Sequence, residues 1–448
     1  MAELTVALHG GVIGTLSDRG AAFDFTPTGD AVRRYGLGSR VLSAAIPLAP
    51  RPAASTRPVR QNFFAELLPE GNARRRLALE AGLDADDVIA MLRVYGRDVA
   101  GAIQVWDAAL PGEPRTPATE PLDDEGVARL LRDVGIHPLG NKPRRGKTSL
   151  NGVQDKIVLV RTETGWARSL DGFPSTHIVK PIVGRYPSMI FDEEYGSRFA
   201  RVLGLADFST EVMTFAGEKA LVIERYDRSG SAADGRIHQE DFNQVLGCRG
   251  DQKYEIYGKR GLSDVAKILT PGDREKLLRM VALSIAVGNL DMHLKNIALL
   301  HDADGGYVLA PMYDVVPQHF PEYDNDGELA LSVVGVFDYA QIHRDLIVEE
   351  AEAWGVADAS TIVDEALSVT LEVAQREIPH SGAHPGLQQL IARTTESLLA
   401  GRTVIGTEPG VPGEGPRPAA GRGAWEWPNA RAPRVGGLSD DPPLEAGD

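Results

Sequence analysis

The 448-residue sequence has little of what disulfide-bonded, membrane-spanning or DNA-binding proteins need. Cys248 is its only cysteine, which excludes an intrachain disulfide and a cysteine-based zinc site. No apolar run approaches the roughly 18 residues that span a bilayer, and the first residues show no signal-peptide pattern. We therefore expect a cytoplasmic protein without membrane contact. The net charge of -16 argues against a large DNA-binding surface of its own.

The most informative stretch is the segment 280–296, which reads MVALSIAVGNLDMHLKN. An apolar, helix-like pattern is followed there by a dense group of polar residues. Asp291 and Asn296 have the spacing of the kinase pattern D-x-x-x-x-N, whose Asp accepts the substrate hydroxyl proton and whose Asn binds magnesium. Asp314 follows a short apolar run, where phosphoryl-transfer enzymes place a further magnesium ligand. Either carboxylate alone is more often a turn residue, but the three residues together favour phosphoryl transfer.

The stretches before this segment follow the order of the parts in a two-lobed kinase. The polar loop 151–156 leads into an apolar strand and could bring backbone N–H groups and Lys156 to phosphates, with a hairpin turn as the alternative. Lys180 ends the next strand, and strand lysines bind nucleotide phosphates in protein kinases. Glu194, in the acidic first turn of a predicted helix, is the candidate carboxylate partner of that lysine. The apolar strand that ends at 224–226 would be the hinge that binds adenine.

Composition and pattern divide the chain into four parts. Residues 1–107 have the pattern of short strands followed by helices, and residues 108–136 that of a linker and a connecting helix. Residues 137–400 would form the kinase-like domain, with its hinge near 224–227. From residue 401 to 448 Pro, Gly and Ala dominate, which predicts a disordered tail. The predicted class is α+β, with a strand-rich N-terminal part and a helical C-terminal lobe.

A set of short motifs extends over most of the chain. The most specific is N-x-D-x-H-x-K-N, which begins at Asn289. The others lie at 62–69, 95–101, 149–156, 177–180, 224–227, 239–241 and 313–314. Together they resemble the motifs of HipA-type serine/threonine kinases, the toxin half of bacterial toxin–antitoxin pairs. The resemblance covers residues 1 to about 400 and implies a two-lobed, protein-kinase-like HipA fold that uses ATP and Mg²⁺.

The resemblance also implies roles for individual residues. Asp291 would be the catalytic aspartate, and Asn296 and Asp314 would be the magnesium ligands. Ser149 corresponds to a serine that HipA kinases phosphorylate on themselves, which inactivates them, although Thr148 leaves the acceptor ambiguous. The residues that would bind ATP are Asn151, Gly152, Val153, Gln154, Asp155, Lys156, Lys180, Glu224, Arg225, Tyr226, His293 and Lys295.

The resemblance implies partners as well. Family members phosphorylate an aminoacyl-tRNA synthetase, typically the glutamyl enzyme, which arrests growth and promotes persistence. A HipB-like helix-turn-helix antitoxin neutralises them and makes most of the DNA contacts. A small-molecule kinase is one alternative, against which the N-terminal part and the Ser149 loop argue. A catalytically weak or dead partner of the antitoxin, acting as co-repressor, is another, and the intact set of Lys180, Asp291, Asn296 and Asp314 disfavours it.

Overall fold

The computed structural model describes residues 3–18, 22–142, 145–150, 152, 154–232, 234–320, 323 and 325–409. Most of the predicted tail, from residue 410 onward, lies outside these residues. Helices and strands alternate through the described part, which confirms the predicted α+β class. Within that part no helix is both long and apolar enough to cross a membrane.

The N-terminal region, residues 3–106, is an antiparallel sheet covered by helices. Its elements are β1 (Glu3–Leu8), β2 (Gly11–Asp18), β3 (Phe23–Pro27), α1 (Gly29–Tyr35), α2 (Arg57–Ala65), α3 (Gly71–Ala81), α4 (Val88–Tyr95) and β4 (Ile103–Trp106). The strands lie in the order β3–β2–β1–β4, and the turn between β1 and β2 has the positive φ angles of a tight hairpin at His9 and Gly10. Phe63 and Phe64 of α2 are fully buried in the core that these elements share.

A six-stranded antiparallel sheet forms the first lobe of the kinase-like part. Its elements are β5 (Ala118–Leu122), α5 (Asp124–Arg132), β6 (Ile157–Thr162), β7 (Gly165–Leu170), β8 (His177–Pro181), α6 (Met189–Val202), β9 (Thr210–Phe215) and β10 (Glu218–Glu224). The strand order is β5–β7–β6–β8–β10–β9, so β8 lies inside the sheet. Helix α5 packs Val127 and Leu131 into the core of this sheet. The strand that carries Lys180 is therefore paired with a neighbouring strand on each side.

The second lobe is mainly helical. Its elements are β11 (His238–Asp241), α7 (Phe242–Val245), α8 (Glu255–Gly258), α9 (Leu262–Ile268), α10 (Pro271–Val287), β12 (Ala298–His301), β13 (Tyr307–Leu309), β14 (Glu328–Val333), β15 (Val336–Asp338), α11 (Arg344–Ala353), α12 (Ala359–Arg376) and α13 (Leu387–Leu399). Thr270 caps the buried helix α10 and Gly288 ends it with a φ of 74°. Gly355, with a φ of 83°, lies between α11 and α12 and separates the two helices.

Buried polar contacts attach the N-terminal region to both lobes. On the hinge side, Asp98 accepts a hydrogen bond from Arg228 at 3.0 Å, and the Gly101 N–H donates to Asp227 at 2.7 Å. The contacts to the helical lobe include hydrogen bonds from Asn62 to Gly247, from Gln244 to Phe63 and from Asn243 to Glu66. The N-terminal region therefore bridges the two lobes.

Candidate active site

A cleft beside strand β8, the hinge and the segment after α10 brings most of the predicted site residues together. The predicted residues that line it are Gly152, Gln154, Lys156, Lys180, Glu224, Arg225, Tyr226, Asp291, His293, Lys295, Asn296 and Asp314. Asp155 and Ser149 are not part of this lining. Asn151 and Val153 lie outside the described residues.

Two carboxylates hold the ammonium group of Lys180 inside the cleft. Its Nζ donates to both oxygens of Glu193 in α6, at 2.7 and 2.9 Å, and to Oδ1 of Asp314 at 2.7 Å. Burial alone would lower the pKa of Lys180, but the charges of Asp314 and Glu193 outweigh burial and raise it. Burial would likewise raise the pKa of Asp314, and Lys180 lowers it instead. Lys180 therefore connects β8, α6 and the segment of Asp314 as a charged group.

The sequence predicts Glu194 as the partner of Lys180, and this prediction is wrong. Glu194 accepts two hydrogen bonds from Arg198, both at 2.8 Å, one helical turn further along α6. Adjacent side chains on a helix point about 100° apart, because a turn takes roughly 3.6 residues. Only one of the two neighbouring glutamates can face the strand, and that residue is Glu193.

The segment after α10 is a turn held by its own polar side chains. The amide of Asn296 donates to the backbone oxygen of Asp291 at 2.9 Å, and the Asp291 N–H donates to Oδ1 of Asn289 at 3.3 Å. The Tyr254 hydroxyl donates to Oδ1 of Asp291 at 3.1 Å. The Asp291 side chain is still 30% exposed and lines the cleft. An oriented, accessible carboxylate of this kind can accept a proton from a substrate.

His293 lies beside this carboxylate, with Nε2 4.0 Å from Oδ2 of Asp291. Burial lowers the pKa of His293 well below its usual range, and the charge of Lys253 acts in the same direction. The imidazole is therefore neutral at physiological pH, so the two side chains do not form an ion pair. The ring packs edge-to-face against Tyr254, with the ring centroids 5.4 Å apart.

Lys295 lines the cleft, but its ammonium group is bound by the N-terminal region. Its Nζ lies 2.6 Å from Oε2 of Glu66 and 2.7 Å from Oε1 of Glu70. Burial alone would lower the pKa of Lys295, and the two carboxylates raise it. The nearby Lys253 also donates to Glu70, at 2.9 Å. In this arrangement Lys295 joins the segment after α10 to the N-terminal region, whereas the family resemblance implies a contact with ATP.

The predicted hinge residues use their side chains in different ways. Glu224 accepts hydrogen bonds from the Ser209 N–H and hydroxyl, at 3.2 and 2.9 Å. The guanidinium of Arg225 is buried and donates to both carboxylate oxygens of Asp227, at 2.9 and 2.8 Å. Tyr226 stacks on Tyr313, with the ring centroids 5.5 Å apart. The backbone and this aromatic pair are thus what the hinge can offer to a planar base.

In the predicted phosphate loop, the side chain of Lys156 lies close to Gly152. Gly152 has a φ of +106°, and a Cβ at this position would lie 2.7 Å from Nζ of Lys156. Burial lowers the pKa of Lys156 to about 8, and the neighbouring charge of Lys180 adds to this effect. Asp155 accepts a hydrogen bond from Arg76 of α3 at 3.0 Å, so its carboxylate turns to the N-terminal region.

Ser149, at the start of this loop, is fully buried. Its hydroxyl donates to the backbone oxygen of Leu67 at 2.8 Å, and its N–H donates to the backbone oxygen of Asp98 at 2.9 Å. The Thr148 hydroxyl is also buried and donates to Asp98 at 3.2 Å. Phosphorylation of either hydroxyl would require this segment to leave the position described.

Several residues of the cleft carry no prediction from the sequence. They are Glu70, Glu193, Asp241, Lys253 and Tyr254, and Glu66 lies directly behind them. Glu66 falls within the motif at 62–69, and this motif could have marked it as a candidate site residue. The role of its charge becomes clear only from the contact with Lys295. Tyr254 is preceded by no recognisable pattern.

The residues present fit a magnesium ion only together with a nucleotide. In the part of the chain that the structure describes, no group of three or more His, Cys, Asp or Glu side chains could hold a metal by itself. Asn296 and Asp314 offer an amide oxygen and a carboxylate in the same cleft. Mg²⁺ sites in phosphoryl-transfer enzymes use one or two such oxygens and complete the shell with phosphate oxygens and water. The donor set therefore matches Mg²⁺ bound with a nucleotide.

The fold and the cleft define a two-lobed, kinase-like protein with an additional N-terminal region. Residues 4–106 match the family model of the HipA N-terminal domain, and residues 148–374, half of the chain, match that of the HipA-like C-terminal domain. The chain belongs to the HipA family, as the sequence motifs predict.

Relatives in this family include named kinases. The chain is 36% identical to protein Y4mE of Sinorhizobium fredii over 292 residues, which cover 61% of this chain and 68% of that protein. It is 28% identical to the serine/threonine-protein kinase toxin HipA of Shewanella oneidensis over 366 residues, 76% of this chain and 81% of the toxin. A solved complex of Shewanella oneidensis HipA, HipB and operator DNA contains a chain that matches with a TM-score of 0.69 and 25% identity, over 89% of this chain and 96% of that chain. These likenesses support kinase activity in general.

Proposed function

We propose that this chain is an ATP- and Mg²⁺-dependent protein serine/threonine kinase of the HipA toxin type. The observation that carries the proposal is one cleft in which Glu193 and Asp314 hold Lys180 while Asp291 and Asn296 lie on an ordered turn. Catalysis of phosphoryl transfer rests on positioning and electrostatic stabilisation, and these five side chains offer both.

Each side chain has a part in the proposed reaction. Asp291 would accept the proton of the substrate hydroxyl, and Lys180 and Lys156 would bind phosphate oxygens of ATP. With a pKa of about 8, Lys156 is largely protonated at neutral pH and suits an anionic ligand. Mg²⁺, held by Asn296 and Asp314, would neutralise phosphate charge when bound. The hinge backbone at 224–226 would bind the adenine.

We further propose that the kinase silences itself by phosphorylating Ser149, with Thr148 as the alternative acceptor. A phosphate adds about -1.5 to -2 charges at neutral pH. Such a group has no place at the buried site of the Ser149 hydroxyl, whose neighbour is a backbone carbonyl oxygen. Phosphorylation would therefore keep Ser149 and the loop that follows it out of the position described. Ser149→Ala should stay active longer than the parent in a time course of transfer, and coinciding time courses would contradict this.

The partners follow from the family. The Shewanella oneidensis HipA of the solved complex is assembled with HipB and operator DNA. We propose that this chain likewise binds a HipB-like antitoxin and reaches DNA mainly through it, which suits its net charge of -16. The proposed substrate is an aminoacyl-tRNA synthetase such as the glutamyl enzyme, with growth arrest in the cytoplasm as the outcome.

Asp291→Asn tests the proposed function, because it keeps the shape of the side chain and removes the proton acceptor. The intact mass of the parent should rise by one phosphate after incubation with ATP and Mg²⁺. Transfer by the variant should fall by at least about a hundredfold, with an unchanged thermal midpoint. A variant with near-parent transfer would overturn the assignment of Asp291, and a parent without any transfer would favour a role as antitoxin partner.

A further inference from the structure

Tyr254 lies in the cleft, and the proposed reaction gives it no part. It follows a 3-10 turn, Gly250–Lys253, precedes helix α8 and is 8% exposed. Its hydroxyl donates to Oδ1 of Asp291 at 3.1 Å, and its ring packs edge-to-face against His293. Tyr254 thus contacts the proposed proton acceptor from a segment 37 positions earlier in the chain.

The backbone around Tyr254 is anchored on both sides. Lys253 donates to Glu70 of the N-terminal region at 2.9 Å, and both side chains are largely buried. Glu255 accepts hydrogen bonds from the Ser332 N–H and hydroxyl, at 2.7 and 2.9 Å. The backbone that carries Tyr254 is therefore held in place, and this fixes the position of the tyrosine hydroxyl beside Asp291.

We propose that Tyr254 is a positioning residue for phosphoryl transfer, whose hydroxyl holds Oδ1 of Asp291 so that Oδ2 meets the acceptor hydroxyl. This inference rests on the proposed kinase function. Rotation about the last torsion of an aspartate has broad wells, so hydrogen bonds decide which orientation the carboxylate takes. A hydrogen bond from a neutral donor to an ionised oxygen is among the stronger ones and fixes the plane of the carboxylate.

Tyr254→Phe tests the proposal, because it removes one oxygen atom and keeps the ring against His293. Initial rates of phosphate transfer from ATP to the chain itself, followed by intact mass, separate the maximal rate from the KM for ATP. We expect a maximal rate about tenfold to a hundredfold lower, as for the loss of a hydrogen bond to a charged group. The KM for ATP and the affinity for a fluorescent ATP analogue should stay within about twofold of the parent.

Tyr257→Phe is the matched control. Tyr257 lies three positions further along the same segment and is 42% exposed, so its variant should keep the parent rate. Tyr254→Phe should also add no further loss to the residual rate of Asp291→Asn, because residues that act as a unit are not additive. Losses that multiply would indicate a merely structural role and would overturn the proposal.

The remaining outcomes separate this inference from the function on which it rests. If the parent transfers phosphate and Tyr254→Phe does so at the parent rate or faster, the positioning role is wrong and the kinase proposal stands. If the parent transfers no phosphate to itself under these conditions, both proposals fail together. A loss confined to the KM for ATP would also overturn the inference, since it would place Tyr254 on the nucleotide.

Discussion

The attachment of Lys295 to Glu66 and Glu70 allows a quantitative test of how the N-terminal region supports the segment after α10. The Lys295 ammonium lies 2.6 Å from one carboxylate and 2.7 Å from the other. Glu66 also accepts hydrogen bonds from the Asn243 amide at 3.1 Å and from the Gly250 N–H at 3.0 Å. In Glu66→Gln the new NH₂ group would face a donor whichever way the amide is turned.

The expected magnitude follows from this geometry. Removal of one partner of a buried ion pair costs about 3–5 kcal/mol, because a charge is left without its counterion. Glu70 stays bound to Lys295, so we expect Glu66→Gln to lower the free energy of unfolding by about 3 kcal/mol, at the lower end of that range. Glu66→Gln combined with Lys295→Met should lose about 2 kcal/mol less than the sum of the single variants.

Urea unfolding of the parent, the two single variants and the double variant measures this coupling. Asp30→Asn is the control, because Asp30 lies in α1 of the same region and forms an ion pair with Arg33 in which both side chains are exposed. Its variant should stay within about 1 kcal/mol of the parent. A coupling energy below about 0.5 kcal/mol would refute the interpretation that the carboxylates and Lys295 form one unit.

Three further predictions concern single positions. Gly101→Ala should destabilise the protein by about 1–3 kcal/mol, because its φ is +79° and a Cβ would lie 2.7 Å from the Gln239 nitrogen; an unchanged urea midpoint would contradict this. Burial raises the pKa of Asp241 to about 7, above its unfolded value, so stability is lost as the pH rises toward 7. The free energy of unfolding of Asp241→Asn, relative to that of the parent, should therefore be about 2 kcal/mol more favourable at about pH 8 than at about pH 5. The same difference between variant and parent at both pH values would argue against this prediction. Glu193→Gln should slow phosphate transfer at least about tenfold and Glu194→Gln less than about twofold, and the reverse order would restore the prediction made from the sequence.

Short segments explain what could be predicted from the sequence. Helix α10 has its cap at Thr270, its buried run and its ending glycine within one stretch, and β8 has its apolar residues directly before Lys180. Asp291 and Asn296 lie on a single turn, so their spacing alone brings them together. In each case the interactions that determine the structure are local, and a local pattern reports them.

The remainder depends on contacts between distant parts of the chain. Lys295 is 229 positions from Glu66, and nothing near the lysine indicates that its charge is already neutralised. Glu193 and Glu194 have the same chemistry, and only the rotation of α6 against β8 decides which of them meets Lys180. The sequence therefore predicts the types of residue in the cleft better than it predicts their pairing.

The N-terminal region connects the two sides of the hinge of the kinase-like part. It forms hydrogen bonds to the hinge through Asp98 and Gly101, and to the helical lobe through Glu66 and Asn62. A rotation of one lobe against the other would have to break the buried ion pair of Asp98 with Arg228 or that of Glu66 with Lys295. The two lobes should therefore rotate against each other less freely than lobes joined by the hinge alone.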